Sequence, residues 1–228
     1  CLEWMKRIPD QSIDCIITDP PYWTTACKWD TIIPFDEMWE QLKRIIKPNG
    51  AIVLFWSEPF SSALRMSNIK QYRYDWIWDK VNLYTWTFLV NKQPLRRYEN
   101  ISIFYKKQPT YNKQYRDWQP YKMKRNSKWV WEIVNKNYKR IETINNWKHN
   151  PCNILQIEWW NKSEKWLHPT QKPVALIEYL IRTYTNEWET VLDFTMGSGT
   201  TAIACINTNR NYIGFELDKW YFDIANER

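Results

Sequence analysis

The chain has 228 residues and 44% hydrophobic side chains, enough for one α/β domain with an insertion or for two small domains. Its longest purely apolar run is six residues, 51–56, far short of the ~20 needed to span a membrane, and no charged-then-apolar leader opens the chain. The net charge is +7, and five scattered Cys without a C-x-x-C, with two His, argue against a zinc site and a disulfide framework. Together these point to a cytoplasmic protein with no membrane partner and no metal. The chain opens on Cys1 rather than Met, which reads as the loss of an N-terminal piece.

The elements alternate along the chain. Residues 13–19 form a short β-rich run that stops at Pro20-Pro21. Residues 36–46 place Met38, Leu42, Ile45 and Ile46 on one helical face, closed by Lys47-Pro48-Asn49-Gly50. A buried strand at 51–56, a helix at 58–69, and strands at 72–79 and 99–106 follow. Regularity then fades from 107 to 167. It returns with a helix at 173–184, a strand at 190–194, a helix at 199–208, a strand at 212–216 and a helix at 218–227. Strands alternating with helices of this length predict an α/β fold with a doubly wound, mostly parallel sheet. Residues 1–106 would be one half of that sheet and 168–228 the other, with 107–167 an insertion.

The charge is unevenly placed. Residues 91–140 hold 14 Lys and Arg against 3 Asp and Glu, while the rest of the chain holds 18 against 22. Ten aromatic residues are interleaved in the basic block. That composition suits a nucleic-acid surface, with Arg96, Arg97, Arg116, Lys122, Lys124 and Arg125 as candidate contacts. A solvated, irregular insertion would have the same composition.

Two sequence signals carry chemistry. Strand 190–194 runs into Gly197-Ser198-Gly199-Thr200-Thr201 and then a helix. Two glycines let the backbone approach a ligand, and the helix start offers free N–H groups. Glu216 ends the next strand, 23 residues after Asp193, where an acid can accept from a ribose diol. No Gly-Lys-Ser/Thr follows and the third glycine of the dinucleotide fingerprint is missing, so an adenosyl ligand without phosphates such as S-adenosylmethionine fits better. A tight strand-to-helix turn without ligand is the plain alternative. The second signal is Asp19-Pro20-Pro21-Tyr22 after a buried strand. It presents one carboxylate, exposed carbonyls and an aromatic face at the end of the sheet where ligands bind. Taken alone it is also an ordinary strand-end turn.

The order Asp19-Pro20-Pro21-Tyr22, basic insertion, His168-Pro169-Thr170-Gln171-Lys172-Pro173, then Asp193 with Gly197 to Thr201, resembles the beta class of amino-group (N6-adenine/N4-cytosine) DNA methyltransferases over essentially the whole chain. The resemblance implies S-adenosylmethionine as cofactor, double-stranded DNA as partner, and base flipping. A cognate restriction endonuclease and a homodimer are further partners it allows. It implies that Asp19 and the Pro20 carbonyl accept the target amine's hydrogens, beside Pro21, and that Tyr22 stacks on the base. Phe194, Gly197, Ser198, Gly199, Thr200 and Thr201 would hold the cofactor, Asp193 and Glu216 would flank it, and His168, Pro169, Thr170 and Lys172 would line its methionine end. Asp at position 19 favours N6 of adenine. An N4-cytosine enzyme, a DNA-binding homologue without catalysis, and an RNA or protein methyltransferase stay open as alternatives. Cys15 and Cys27 read as packing residues, not nucleophiles.

Trp is 17 and Gly only 4. Sequences of the resembling family carry glycine or another small residue near Trp4, Trp23, Trp56, Trp166, Trp188 and Trp220. The expectation is a codon rendered as Trp that the source organism reads as Gly, leaving six strained turns.

Overall fold

The computed structural model describes residues 1–21, 32–85, 87–117, 121–123, 143–145, 148–159 and 167–228. They divide into two compact units. One is Cys1–Asn112 with Asn153–Arg228, and the other is Lys113–Cys152.

The larger unit is built on a seven-stranded sheet. Its strands are β1 (Ile13–Thr18), β2 (Ile46–Trp56), β3 (Tyr72–Asp79), β4 (Tyr98–Phe104), β9 (Ile154–Gln156), β10 (Thr190–Asp193) and β11 (Asn211–Gly214). Their order is β11-β10-β1-β2-β4-β3-β9, and β4 is the one strand antiparallel to its neighbours. The helices are α1 (Leu2–Met5), α2 (Phe35–Ile45), α3 (Phe60–Ser67), α4 (Val174–Tyr184), α5 (Thr200–Asn207) and α6 (Lys219–Glu227). This is the doubly wound, mostly parallel architecture that the alternation predicts.

The central strands are apolar on both faces because both are covered. Along β2, Ala51, Val53 and Phe55 join Leu176, Ile177, Leu180 and Ile181 of α4. The alternate residues Ile52, Leu54 and Trp56 join Met38, Leu42 and Ile45 of α2 and Leu64 of α3. One continuous run of six apolar residues thus feeds two cores.

Two elements differ from expectation. The helix over 36–46 ends at Ile45, and β2 starts at once and runs through Lys47-Pro48-Asn49-Gly50, with a register shift against β1 between Ile13 and Cys15. Pairing with β1 on either side of this stretch, Ile46 with Ile13 and Ala51 with Cys15, holds it extended in place of the turn those residues otherwise favour. β9, inside the stretch expected to be irregular, pairs with β3 and closes the sheet. It is three residues long and carries no period to detect. The smaller unit holds two ladders, β5 (Arg116–Asp117) with β8 (Lys148–His149), and β6 (Tyr121–Met123) with β7 (Thr143–Asn145).

The tryptophans correct the expectation of uniformly strained turns. Trp188 alone among the suspect positions described has left-handed backbone, at φ 68°, with its ring 71% exposed. Trp4 lies in α1, Trp56 in β2 and Trp220 in the first turn of α6, all without positive φ. Trp56 is buried against Phe35 and Phe60, with ring centroids 5.8 Å and 6.3 Å away. Trp23 and Trp166 lie outside the described residues.

The two classes have opposite expected outcomes. Trp188→Gly relieves about 1–2 kcal/mol of left-handed strain, less the extra freedom of glycine in the unfolded chain, and raises the melting temperature by roughly 2–4 °C. Trp56→Gly empties a packed site at a cost of about 3–5 kcal/mol and lowers it by on the order of 10 °C. Thermal denaturation of the two single variants checks both signs.

Candidate active site

The chain lays β2, β3, β4 and β9 on one side of β1 and then crosses to lay β10 and β11 on the other. The carboxyl ends of β1 and β10 therefore flank the point where strand order reverses, the place where doubly wound sheets bind ligands. A cavity of about 260 Å³ opens there. Its lining includes Asp19 and Pro21 after β1, Asp193 to Ser198 after β10, Phe215 to Leu217 after β11, and His168, Thr170, Gln171 and Lys172 from the segment before α4.

Hydrogen bonds lock its two walls together. Thr18 Oγ1 donates to Asp193 Oδ1 at 2.8 Å, and Thr201 Oγ1 donates to Asp193 Oδ2 at 2.6 Å. The Thr195 N–H donates to Asp193 Oδ1 at 3.1 Å, and the Thr195 hydroxyl donates to the Asp19 carbonyl at 3.1 Å. Asp193 is buried, and burial pushes its pKa up against the pull of these donors. Across the turn, Glu216 accepts from the N–H of Gly197 at 2.7 Å and of Asp218 at 2.9 Å. Asp193 and Glu216, expected only to face a cofactor, thus also fix the turn between β10 and α5.

Glycine is required in that turn. Gly197 and Gly199 have φ 54° and 83°, and a Cβ on Gly199 would lie 3.1 Å from the Ala225 Cβ and 3.2 Å from its Cα. Ser198 Oγ donates to Gln171 Oε1 at 3.0 Å and Thr200 and Thr201 begin α5, so the 168–173 segment is tied to the same turn.

His168 packs edge-on against Tyr221, centroids 4.2 Å apart, and its Nδ1 accepts from the Thr170 N–H at 3.2 Å. Burial, then the charge of Lys172, depress its pKa to about 4, so the ring is neutral at pH 7. Phe194 is buried at the cavity wall, whereas Pro169 is exposed and does not line it.

The larger surprise is Lys172. Its ammonium pairs with Asp19 Oδ2 and lies 3.5 Å from Glu99 Oε2, and Lys80 Nζ is 2.7 Å from Glu99 Oε1. The side chains of Lys172, Asp19, Glu99 and Lys80 are 8%, 19%, 11% and 1% exposed. Asp19 Oδ1 is buried and has no hydrogen-bond partner among the described residues. Burial, opposed by Lys172 and aided by Glu99, raises the Asp19 pKa to about 6. Glu99 and Lys80 were not legible as site residues from local motifs. A charge at the end of each of two apolar strands, Trp78-Asp79-Lys80 and Tyr98-Glu99, was the available signal.

The remaining candidates are dispersed. Pro20 is buried, and Tyr22 lies outside the described residues, as do Lys124 and Arg125. Arg96 donates to the Glu58 carbonyl at 2.9 Å and to Ser57 Oγ at 3.1 Å, and Arg97 pairs with Asp79 at 2.7 Å. Both guanidiniums are engaged with the sheet's own residues. Arg116 is exposed in β5, and Lys122 lies in β6. Cys15 is buried in β1 with its thiol pKa pushed well up by burial, so it is no nucleophile.

A strand-turn-helix cradle and a buried carboxylate thus share one crevice at the switch point of the sheet, where folds of this class bind ligands. The model of the DNA methylase family covering the N6 and N4 enzymes matches residues 13–227, and the chain belongs to that family. Type II methyltransferase M.HpaI of Haemophilus parainfluenzae is 31% identical over 246 residues, covering 98% of this chain and 70% of that protein. M1.MboII of Moraxella bovis is 28% identical, covering 99% and 92%. The crystal structure of the M1.HpyAVI–SAM complex matches with TM-score 0.64 and 27% identity over 100% of this chain and 94% of that one. The PvuII cytosine-N4-specific DNA methyltransferase shares the fold, with TM-score 0.71 at 18% identity over 99% of this chain and 82% of that one. Among the described residues, no helix is long and apolar enough to cross a membrane.

Gly199→Val forces a β-branched residue to φ 83° against α6. It should cost at least about 1–2 kcal/mol, lower the melting temperature by several degrees, and leave the cradle misshapen. Thermal denaturation and ligand titration on the same sample check it.

Proposed function

We propose that this member of the N6/N4 DNA methylase family transfers a methyl group from S-adenosylmethionine to the exocyclic N6 of an adenine flipped out of duplex DNA. The observation that carries the reading is Asp19 Oδ1, a buried acceptor without a partner among the described residues, at the wall of the cavity that also holds the glycine turn.

The cavity suits a cofactor of this kind. Its walls include apolar Phe194, Met196, Phe215 and Leu217 with acidic Asp19, Asp193 and Glu216. The one Lys or Arg among the described lining residues, Lys172, is committed to carboxylates. A site without a free cation fits a nucleoside without phosphates, and its acids fit a positively charged one. Gly197, Ser198, Gly199, Thr200 and Thr201 would hold it, with Phe194, Asp193 and Glu216 around it and His168 and Thr170 at the far end. When bound, the group supplies an activated methyl on a positively charged sulfur.

The chain's own residues prepare the acceptor. An exocyclic amine shares its lone pair with the ring and is a poor nucleophile. Asp19 Oδ1 and the Pro20 carbonyl, accepting its two hydrogens, localise that lone pair on nitrogen. Tyr22 would stack on the base. Extracting the base costs on the order of a few kcal/mol of stacking. Placement and fixed acceptors supply most of the acceleration.

Asp19 must be ionised to accept. Its pKa, raised to about 6, predicts that kcat/KM falls as pH drops through about 6 and holds steady above it. Asp19→Ala should abolish methyl transfer and leave cofactor affinity within about twofold, and near-normal turnover would refute the role. Mass spectrometry of nucleosides from treated DNA decides the target. N6-methyl-2′-deoxyadenosine is expected, and N4-methyl-2′-deoxycytidine would move the assignment to the other branch of the family.

The basic block would supply DNA affinity through phosphates. Log affinity should then fall against log salt with a slope of about −0.9 per phosphate neutralised. Replacing Arg116, Lys122, Lys124 and Arg125 together with Ala should flatten that slope, whereas an unchanged slope places the DNA surface elsewhere. Arg96 and Arg97, engaged with the sheet, should contribute less.

A further inference from the structure

We propose that Lys172 is a positioning residue for Asp19, anchored from behind by Glu99 and Lys80, so that it takes Oδ2 and leaves Oδ1 as the acceptor for the target amine. This rests on the Asp19 reading above and adds how that carboxylate is held.

The four groups alternate in sign along a line, Asp19, Lys172, Glu99, Lys80, and come from four places: the end of β1, the segment before α4, β4 and the residue after β3. Each inner ion has an opposite charge on both sides. That is what a buried ion needs, because an unpaired one forfeits its hydration without compensation. The far end is well fixed. Lys80 Nζ sits 4.1 Å from the Trp159 ring centroid and 5.4 Å from that of Trp78. The next residue, Val81, is held at φ 59°, a costly conformation for a β-branched residue. The Val81 N–H donates to Asp79 Oδ1 at 3.1 Å. The chain is thus bent sharply just past the point where Lys80 turns inward to Glu99.

Lys172 has no comparable tie to the glycine turn. Its partners are the Asp19 and Glu99 carboxylates and, at 3.4 Å, the Thr170 carbonyl. A role at the cofactor's methionine end, the expectation from sequence, leaves Glu99 and Lys80 without purpose. The groups that bear on Asp19 are Lys172, which favours its ionised form, and Glu99 and Asp193, which oppose it. Burial lowers the Lys172 pKa, but Asp19 and Glu99 outweigh it and keep the ammonium charged. His168, neutral, adds no charge.

The test uses the full chain, duplex DNA and labelled S-adenosylmethionine, with kcat/KM measured across the acid and neutral range and cofactor affinity measured by calorimetry. Lys172→Met should move the acid limb up by roughly one to three pH units and lower turnover at neutral pH. Lys172→Arg should restore most of both. Glu99→Gln, a near-isostere, should move the limb down, because a like charge is removed. Cofactor affinity should stay within about twofold throughout. A merely structural residue would not shift the limb in opposite directions. If Lys172→Met does not fold, Lys172→Arg and Glu99→Gln decide alone. An unmoved acid limb in the folded variants overturns the proposal, as does a loss confined to cofactor affinity. If Asp19→Ala keeps its turnover, the reading of Asp19 itself fails, which is a separate result.

Discussion

The site depends on one buried carboxylate that ties its walls together. Asp193 accepts from Thr18 on β1, from Thr201 on α5 and from the Thr195 backbone. Adjacent parallel strands already share backbone hydrogen bonds, but those end with the ladder at Ile16 and Leu192. Beyond that point the chains diverge, one toward Asp19 and the other toward the glycine turn. The Asp193 bridge carries the registration past the end of the ladder. It keeps the glycine turn and Asp19 in one frame, and under the function proposed above the transfer would be sensitive to about an ångström of misplacement there. Burying this carboxylate is unfavourable by itself, and three donors offset that cost.

What was legible in the sequence follows from how local each signal is. The strand 190–194 and the turn after it declare themselves because Gly197 and Gly199 sit at φ values that almost any other residue resists. The two-sided core of β2 shows as an uninterrupted apolar run. β9 was not legible, since three residues have no period. Lys80 and Glu99 were not legible either: their partnership is made by pairing Trp78 of β3 with Glu99 of β4, a register that no local pattern states. Lys172 was found through its motif and does line the cavity, but its ion pairs with Asp19 and Glu99 were not legible, because spacing along a chain does not say which groups a long side chain will reach.

The tryptophans mark the same boundary between local and tertiary information. From sequence they form one class of misplaced bulk. In the fold they separate by backbone conformation and burial. Trp188 stands left-handed in a turn, held by its N–H to the Asn209 carbonyl at 2.7 Å, with its ring in solvent. Trp56 fills a core site, and Trp4 rests on Phe215 with Arg7 4.0 Å from its ring centroid. Among the described suspect positions, the backbone favours a small residue at Trp188 alone, and Trp4 and Trp56 have room for the indole or are packed around it.

Charge explains how a basic chain keeps an acidic crevice. The net +7 is concentrated in residues 91–140, while the rest of the sequence is acidic. Behind the crevice wall the line Asp19, Lys172, Glu99, Lys80 balances to zero, with Asp19 and Lys172 lining the cavity. Asp193 and Glu216 are left as uncompensated acids on the cavity wall. A neutral line is what allows Asp19 to be buried and still ionise near neutral pH, since full burial beside a second unpaired carboxylate would protonate it. Among the described residues the hydrogen-bond donors to these two acids are N–H and O–H groups, which satisfy their lone pairs. Under the function proposed above, the acidic cavity wall would suit a cationic ligand and the basic stretch a phosphate backbone. Those two ligands would need opposite fields, and the sequence places each charge class in a different stretch of chain.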